Sequence, residues 1–297
     1  MSNKRNGKVI SFINMKGGVG KTTLTKEISY YLSLVKQKKV LVVDIDPQAN
    51  LTQSFFKIYN KLTSEDTGEI NKLKKELEKL PSINNLFIKN AHSRPEKKDV
   101  IMELSETLYM IPGNLSSIFF GRSPSGEAEQ ILHNFIKREK LRNDFDYIII
   151  DCPPTYSFYT TSALLSSDYY LVPVRPDAYS ALGLDLLEEV VSKTKESYLD
   201  NFEIKPLTNL GVIFTMTQEN AGIKRVMTDI KTSKYFLEKN IYFFEETFLN
   251  SDKIPTRKLD YLIYNSQDTK LISNLESIVD EFERRLNSLN GTEWTSS

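Results

Sequence analysis

Cysteine is almost absent from this chain: of 297 residues, Cys152 is the single one. A lone thiol excludes an internal disulfide framework and a multi-cysteine metal centre, and it fits a reducing compartment. Glycine and proline are sparse, at 12 and 11 residues, and nowhere do they gather into a linker. A surplus of either charge is missing too, because 39 Lys and Arg balance 39 Asp and Glu. A domain dedicated to nucleic acid usually carries a basic excess, so any such contact here must come from a local patch. No apolar run approaches the roughly 20 residues that span a bilayer. No apolar segment follows the early charges Lys4 and Arg5 as a signal peptide requires. The expectation is a cytoplasmic protein with no membrane partner.

What is present is a rhythm of short apolar runs. Val9 to Ile13, Val40 to Val43, Leu108 to Ile111, Tyr147 to Ile150, Tyr170 to Val174 and Leu210 to Phe214 are rich in β-branched or aromatic residues and read as strands covered on both faces. Helical patterns lie between several of them, at about 22–35 and 182–195. The alternation predicts an α/β fold: a doubly wound, mostly parallel sheet flanked by helices. We expect one domain over 1–297, with a partly helical elaboration at about 57–106. Within it Glu69 to Leu80 has an apolar stripe at Ile70, Leu73, Leu77 and Leu80 before Pro81. A second stripe, from Leu271 to Leu289, predicts a C-terminal helix packed on the domain, because its opposite face mixes both charges. The tail 290–297 is expected to be disordered.

Residues 8–23 read KVISFINMKGGVGKTT, a strand running into a glycine-rich turn and then a helix. Gly17, Gly18 and Gly20 let backbone N–H groups curl around phosphate oxygens, and the following helix aims its positive end at the same anion. Lys21 is placed to reach the β and γ phosphates, and the Thr22 hydroxyl to ligate Mg²⁺. Met15 stands where the ordinary pattern has its first glycine, with Lys16 beside it. Two further motifs end strands in carboxylates: VLVVDIDPQAN, with Asp44 and Asp46, and YIIIDCPP, with Asp151. In an open α/β sheet ligands bind beyond the carboxyl ends of strands, so these acids are candidates for a cation and a water beside the phosphate loop. Cys152 reads as a small core residue.

Together these motifs resemble the deviant Walker A ATPases, KGGVGKT(T/S), the family of ParA, MinD and the nitrogenase iron proteins. DIDPQAN resembles the DxDPQ(G/A)N block of its ParA-like members, and YIIIDCPP its Walker B block. The resemblance spans about 8–56 and 108–287. It implies a P-loop NTPase that binds MgATP through Lys16, Gly17, Gly18, Val19, Gly20, Lys21, Thr22 and Thr23. It implies that Lys16 reaches the phosphates of a partner in a sandwich dimer, much as an arginine finger does. Lys21 and Asp46 are then catalytic, Asp46 by orienting the attacking water, while Asp44 and Asp151 support the Mg²⁺ shell with Thr22. GVIFTMTQEN resembles the segment near the adenine, which makes Thr215 and Met216 candidate contacts. IPTRKLDYLIYN, with Pro255, departs from IPRxVxxxEA, because the glutamate–alanine pair is absent.

Within the family, no helix-turn-helix segment fits before the loop, the tail lacks the basic amphipathic helix of MinD, and one cysteine cannot supply an iron-protein cluster. The expectation is the small ParA form: an ATP-dependent homodimer that binds DNA without sequence preference, is stimulated by a centromere-binding, ParB-like protein, and associates with the nucleoid when ATP-bound. Lys224, Arg225, Lys253, Arg257 and Lys258 are the candidate DNA contacts. The alternative is an ATP-dependent scaffold that positions a protein cargo.

Overall fold

A computed structural model describes residues 5–61, 79–87, 94–114, 126–177, 179–218, 220–250 and 260–291. Eight strands form one sheet in the order β3-β4-β2-β5-β1-β6-β7-β8. They are β1 (Lys8–Phe12), β2 (Val40–Asp44), β3 (Met102–Glu103), β4 (Leu108–Ile111), β5 (Tyr147–Asp151), β6 (Tyr169–Val174), β7 (Thr208–Thr217) and β8 (Phe248–Leu249). Every pairing is parallel except β3 with β4. The longer helices are α1 (Lys21–Leu34), α2 (Asn50–Ile58), α3 (Gly126–Arg138), α4 (Phe158–Ser166), α5 (Ser180–Ser197), α6 (Ala221–Lys231) and α7 (Thr269–Leu289).

The period-two alternation of side chains divides each strand between two cores. Ile148 and Ile150 of β5, with Leu41 and Val43 of β2, pack in one cluster with Phe135 of α3, Leu164 of α4 and Leu187 of α5. Ile149, Val40 and Val42 pack in the other, with Leu24 and Ile28 of α1, Phe55 of α2 and the stripe of α7. The expected C-terminal helix is present. Asp268 caps it, accepting from the Leu271 amide at 3.2 Å, and Leu271, Leu275, Ile278, Val279, Phe282 and Leu286 are buried. Phe282 meets Phe12 edge-on with ring centroids 6.3 Å apart; truncating such a side chain to alanine typically costs about 3–5 kcal/mol.

The 57–106 elaboration is more integral than a rim. Ile83, Leu86, Val100 and Leu104 enter the two cores, and β3 adds the antiparallel edge strand beside β4. Two short helical turns, Asn84–Phe87 and Lys97–Val100, lie within it. The expected helix at 69–80 lies outside the described residues except for its last two positions, as do 292–297 of the tail. Among the described residues no helix is long and apolar enough to cross a membrane.

Candidate nucleotide site

Strand register brings the acidic motifs to the phosphate loop. Asp44 and Asp151 are register partners at the carboxyl ends of β2 and β5. Phe12 of β1 stands beside Asp151 on the other side, and the chain leaves β1 there to form the loop. Gly18 and Gly20 have φ of 69° and 81°, the left-handed region that a side chain makes costly. Gly20 immediately precedes α1, so the first free amides of the helix open into the turn. A side chain at Gly17 or Gly18 would meet nothing within 4 Å, which leaves the cradle open to a ligand.

Several polar contacts hold this shape. Asn14 donates to the Pro173 carbonyl at 2.7 Å and accepts from the Lys16 amide at 2.9 Å, tying the loop to the end of β6. Thr215 donates to the Val19 carbonyl at 2.6 Å, and the Met216 methyl lies 3.7 Å from where a side chain would begin at Gly20. The end of β7 therefore abuts the loop. Lys21 is buried and its ammonium reaches back to the Lys16 carbonyl at 3.1 Å. Burial lowers its pKa, opposed mainly by Asp151. Lys16 instead leaves the loop sideways and pairs with Asp177, whose carboxylate also accepts from the Tyr179 amide and the Ser180 hydroxyl.

The acids are crowded. Thr22 donates to Asp151 at 2.7 Å. Asp44 accepts from both the amide and the hydroxyl of Thr52, at 2.8 and 2.7 Å. Asp46 accepts from the Gln48 amide at 2.9 Å. Asp44 and Asp151 are fully buried. Burial pushes the Asp44 carboxyl up to about 7, with the Asp46 charge adding to it. Asp151 is raised well above the ordinary carboxylate range, by burial first and by the Asp44 charge second. The second oxygen of Asp44, Oδ1, is buried without a hydrogen-bond partner among the described residues.

Two adjacent buried carboxylates with an unsatisfied oxygen are costly unless a cation or its waters complete them. The donor set, hard oxygens beside an open amide cradle, fits Mg²⁺ carried on a nucleotide's phosphates, since Mg²⁺ keeps most of its shell in water and phosphate oxygen. Thr22, Asp44 and Asp151 are the residues that could hold it.

Cys152 is buried, with its sulfur 3.9 Å from the Ile150 carbonyl and its thiol pKa pushed up by burial, so it is no nucleophile. Lys224 and Arg225 stand exposed on α6, outside the group gathered at the loop. Pro255, Lys253, Arg257 and Lys258 lie outside the described residues. Sequence reasoning passed over Asn14, Thr52, Gly113 and Asp177. Gly113 follows β4, donates to the Thr52 hydroxyl at 2.7 Å, and a side chain there would come within 3.1 Å of the Asp44 carboxyl carbon. Its Pro-Gly turn was a visible signal; nothing in the local pattern distinguished Thr52 or Asp177.

The chain is similar to known proteins in sequence and fold. A family profile described as an AAA domain matches residues 7–204. The sporulation initiation inhibitor protein Soj of Bacillus subtilis is 31% identical over 78% of this chain and 81% of its own. A virulence-plasmid ParA family protein of Chlamydia psittaci is 29% identical over 77% of this chain and 76% of its own. A plasmid partition protein of Borrelia burgdorferi, solved with AMPPNP, superposes with a TM-score of 0.71 over 94% of this chain and 99% of its own, at 24% identity. With a deviant phosphate loop, paired strand-end aspartates and this sheet, the chain belongs to the ParA-type partition ATPases of the P-loop NTPase class.

Proposed function

We propose that this chain is a DNA-partition ATPase that closes around ATP as a homodimer, holds DNA without sequence preference while closed, and releases it on hydrolysis. The observation that carries the reading is the division of labour between two lysines. Lys21 is folded into its own loop, where it neutralises phosphate charge in cis. Lys16 leaves the loop and pairs with Asp177, and exchanging that carboxylate for phosphate would let it serve a nucleotide on a second copy. Large apolar side chains stand exposed on and just before α5, the helix that follows Asp177: Tyr179, Leu182 and Leu186 are each between 45% and 71% exposed, and a side chain at Gly183 would begin 4.0 Å from Lys16. Such a patch is a surface to bury against a partner.

MgATP supplies the phosphoanhydride whose cleavage times the cycle. The chain binds it through the amides of Gly17 to Thr23, with Thr215 and Met216 beside the loop and Pro255 as a further candidate for the base. Thr22, Asp44 and Asp151 hold the magnesium shell. Asp46 orients the attacking water, and Lys16 stabilises the charge that develops on the partner's phosphates. The γ-phosphate gates the Asp44–Asp46 turn and the Cys152–Pro154 turn as a two-state switch. DNA contacts come from Lys224, Arg225, Lys253, Arg257 and Lys258, doubled by dimerisation, and a ParB-like protein stimulates turnover. The closed form then associates with the nucleoid.

The test pairs light scattering with fluorescence anisotropy on unrelated duplexes, with ADP and with ATP, across a salt series. The mass should double with ATP, and only that form should bind DNA, with affinity falling steeply as salt rises. Equal DNA binding with both nucleotides, or no ATP-dependent dimer, overturns the reading.

A further inference from the structure

At the far side of the molecule from the phosphate loop, a groove runs between α3 and the short helices Leu141–Asp144 and Leu199–Ile204. Its volume is about 540 Å³, within the range of ligand pockets. Four cations line it, Lys137, Lys140, Arg142 and Lys205, together with His133; the single acid on its wall is Asp200. Beneath lies Asp168, which is already committed. It accepts two bonds from Arg142, at 2.7 and 2.9 Å, and one from the Val9 amide at 2.8 Å, and it pairs with Lys205 at 3.3 Å.

One carboxylate thus serves two half-buried cations, and four cations face two carboxylates in all. Lys137 and Lys140 form no ion pair with another described residue. Lys140 is held at φ 52°, the left-handed region where a lysine is uncommon. Arg142 and Lys205 share the Asp168 carboxylate below the groove, while Lys137 and Lys140 stand exposed at its rim, so the wall carries more cations than acids.

We propose that this groove is a second anion site, built for a phosphoryl group and independent of the nucleotide loop. Arg142 and Lys205 form its preorganised floor, fixed by Asp168, the Gly7 carbonyl at 2.8 Å and the Ser166 carbonyl at 2.6 Å. Lys137 and Lys140 close over the bound oxyanion, and His133, whose Nδ1 lies 3.1 Å from the Leu165 carbonyl, donates to it through Nε2 once the ring is protonated. Two groups of the groove have pKa values lowered mainly by burial, with neighbouring cations adding to it. The Lys205 pKa falls to about 8, from burial and then from Arg142 against the pull of Asp168. The His133 pKa is lowered by burial and then by Lys205, Lys137 and Arg142. A bound phosphate would oppose both shifts, because its negative charge favours the protonated forms. The phosphoryl group could be carried on a small molecule or on a nucleic-acid backbone, since the same cations recognise either.

The chain has two histidines, His92 and His133, so their imidazole resonances are resolvable by NMR. The phosphate loop is first saturated with MgADP. The His133 titration is then followed at constant ionic strength with chloride, with inorganic phosphate, and with a short duplex. Phosphate should raise the His133 pKa with saturation at millimolar concentration, and Lys137→Ala/Lys140→Ala, an exposed pair outside the core, should weaken that binding at least about tenfold. A shift with phosphate alone assigns a small phosphate ester; a shift with both, or with the duplex alone, assigns nucleic-acid backbone. No shift with either, or the same shift in the double variant, overturns the site.

Discussion

The two ends of the sheet carry opposite charge problems. At the carboxyl ends of β2 and β5, acids are in excess: Asp44 and Asp151 are buried side by side, Asp46 is close by, and Lys21 is the one buried cation among them. At the amino ends of β1 and β6, cations are in excess: Lys8, Arg142 and Lys205 gather around Asp168. Burial moves the pKa values of these groups toward their neutral forms. Carboxyls rise at the first end, and ammonium groups fall at the second, Lys8 and Lys205 both by burial. A fold stabilised only by its cores would gain from neutral residues at both places, as replacements of buried ion pairs by apolar groups often show. The imbalance is the mark of a ligand with the opposite charge: a metal-bound nucleotide at one end and, on our proposal, an oxyanion at the other.

The comparison breaks most visibly at Lys21. Removing it leaves the acids with no cation, and the phosphates lose a charge-assisted contact. Lys21→Ala should lose ATP binding by at least about a hundredfold, near 3 kcal/mol, while circular dichroism remains that of the parent. Calorimetric titration giving parental MgATP affinity in a folded variant would remove Lys21 from the site. The next effects divide binding from chemistry. Asp46→Ala should retain ATP and accumulate as a dimer with turnover down about a hundredfold or more, as losing water orientation implies. Lys16→Ala should bind ATP as a monomer and lose stimulated hydrolysis. Parental turnover in the first, or an ATP-dependent dimer with normal stimulation in the second, would reassign those roles.

A smaller effect carries the opposite sign. Asp151→Asn keeps the shape and the bond from Thr22 but removes one of two repelling carboxyls. The ligand-free protein should then melt a few degrees higher, by about 1 kcal/mol or more, while magnesium-dependent nucleotide binding weakens. Stability and function should separate at the acid-rich end because the excess charge serves the ligand and not the fold. A variant that melts lower without ligand would mean that Asp151 is there for structure.

Much of this was legible in the sequence, for identifiable reasons. Strands covered on both faces leave continuous apolar runs, so all six expected strands appear with their ends within three residues of the observed ones. The chemistry at the loop was visible because each group sits at a strand end or helix start, where the motif and the geometry coincide. The elaboration was not legible. β3 is two residues long, and Ile83, Leu86 and Val100 enter the core from short turns with no period to read. Nor were Asn14, Thr52 and Asp177, whose roles depend on partners 159, 8 and 161 residues away. The cation-rich end was equally hidden, because Lys8, Arg142, Asp168 and Lys205 are scattered and the net charge is zero.

Glu27 gives the cleanest contrast, because it is a buried acid that serves neither end. It lies on α1 at 0% exposure, where one oxygen accepts from the Ile263 amide at 2.9 Å and Lys26 stands 3.5 Å from the other. Burial pushes its carboxyl up to about 7, against the pull of Lys26 and the Ile263 amide. The sign follows from linkage. A carboxyl whose folded pKa exceeds its unfolded value of 4.5 is bound to its proton more tightly in the folded state. Its contribution is therefore fully present below about pH 4.5 and is lost as pH rises through about 7. Glu27→Gln fixes the neutral form and can still accept from Ile263. The variant should match the parent near pH 5 and exceed it by about 2 kcal/mol at pH 8, so urea melts across pH 5 to 8.5 should diverge as pH rises. Parallel curves would mean that Lys26 fully compensates the charge, and that buried acid in this fold need not signal a missing partner.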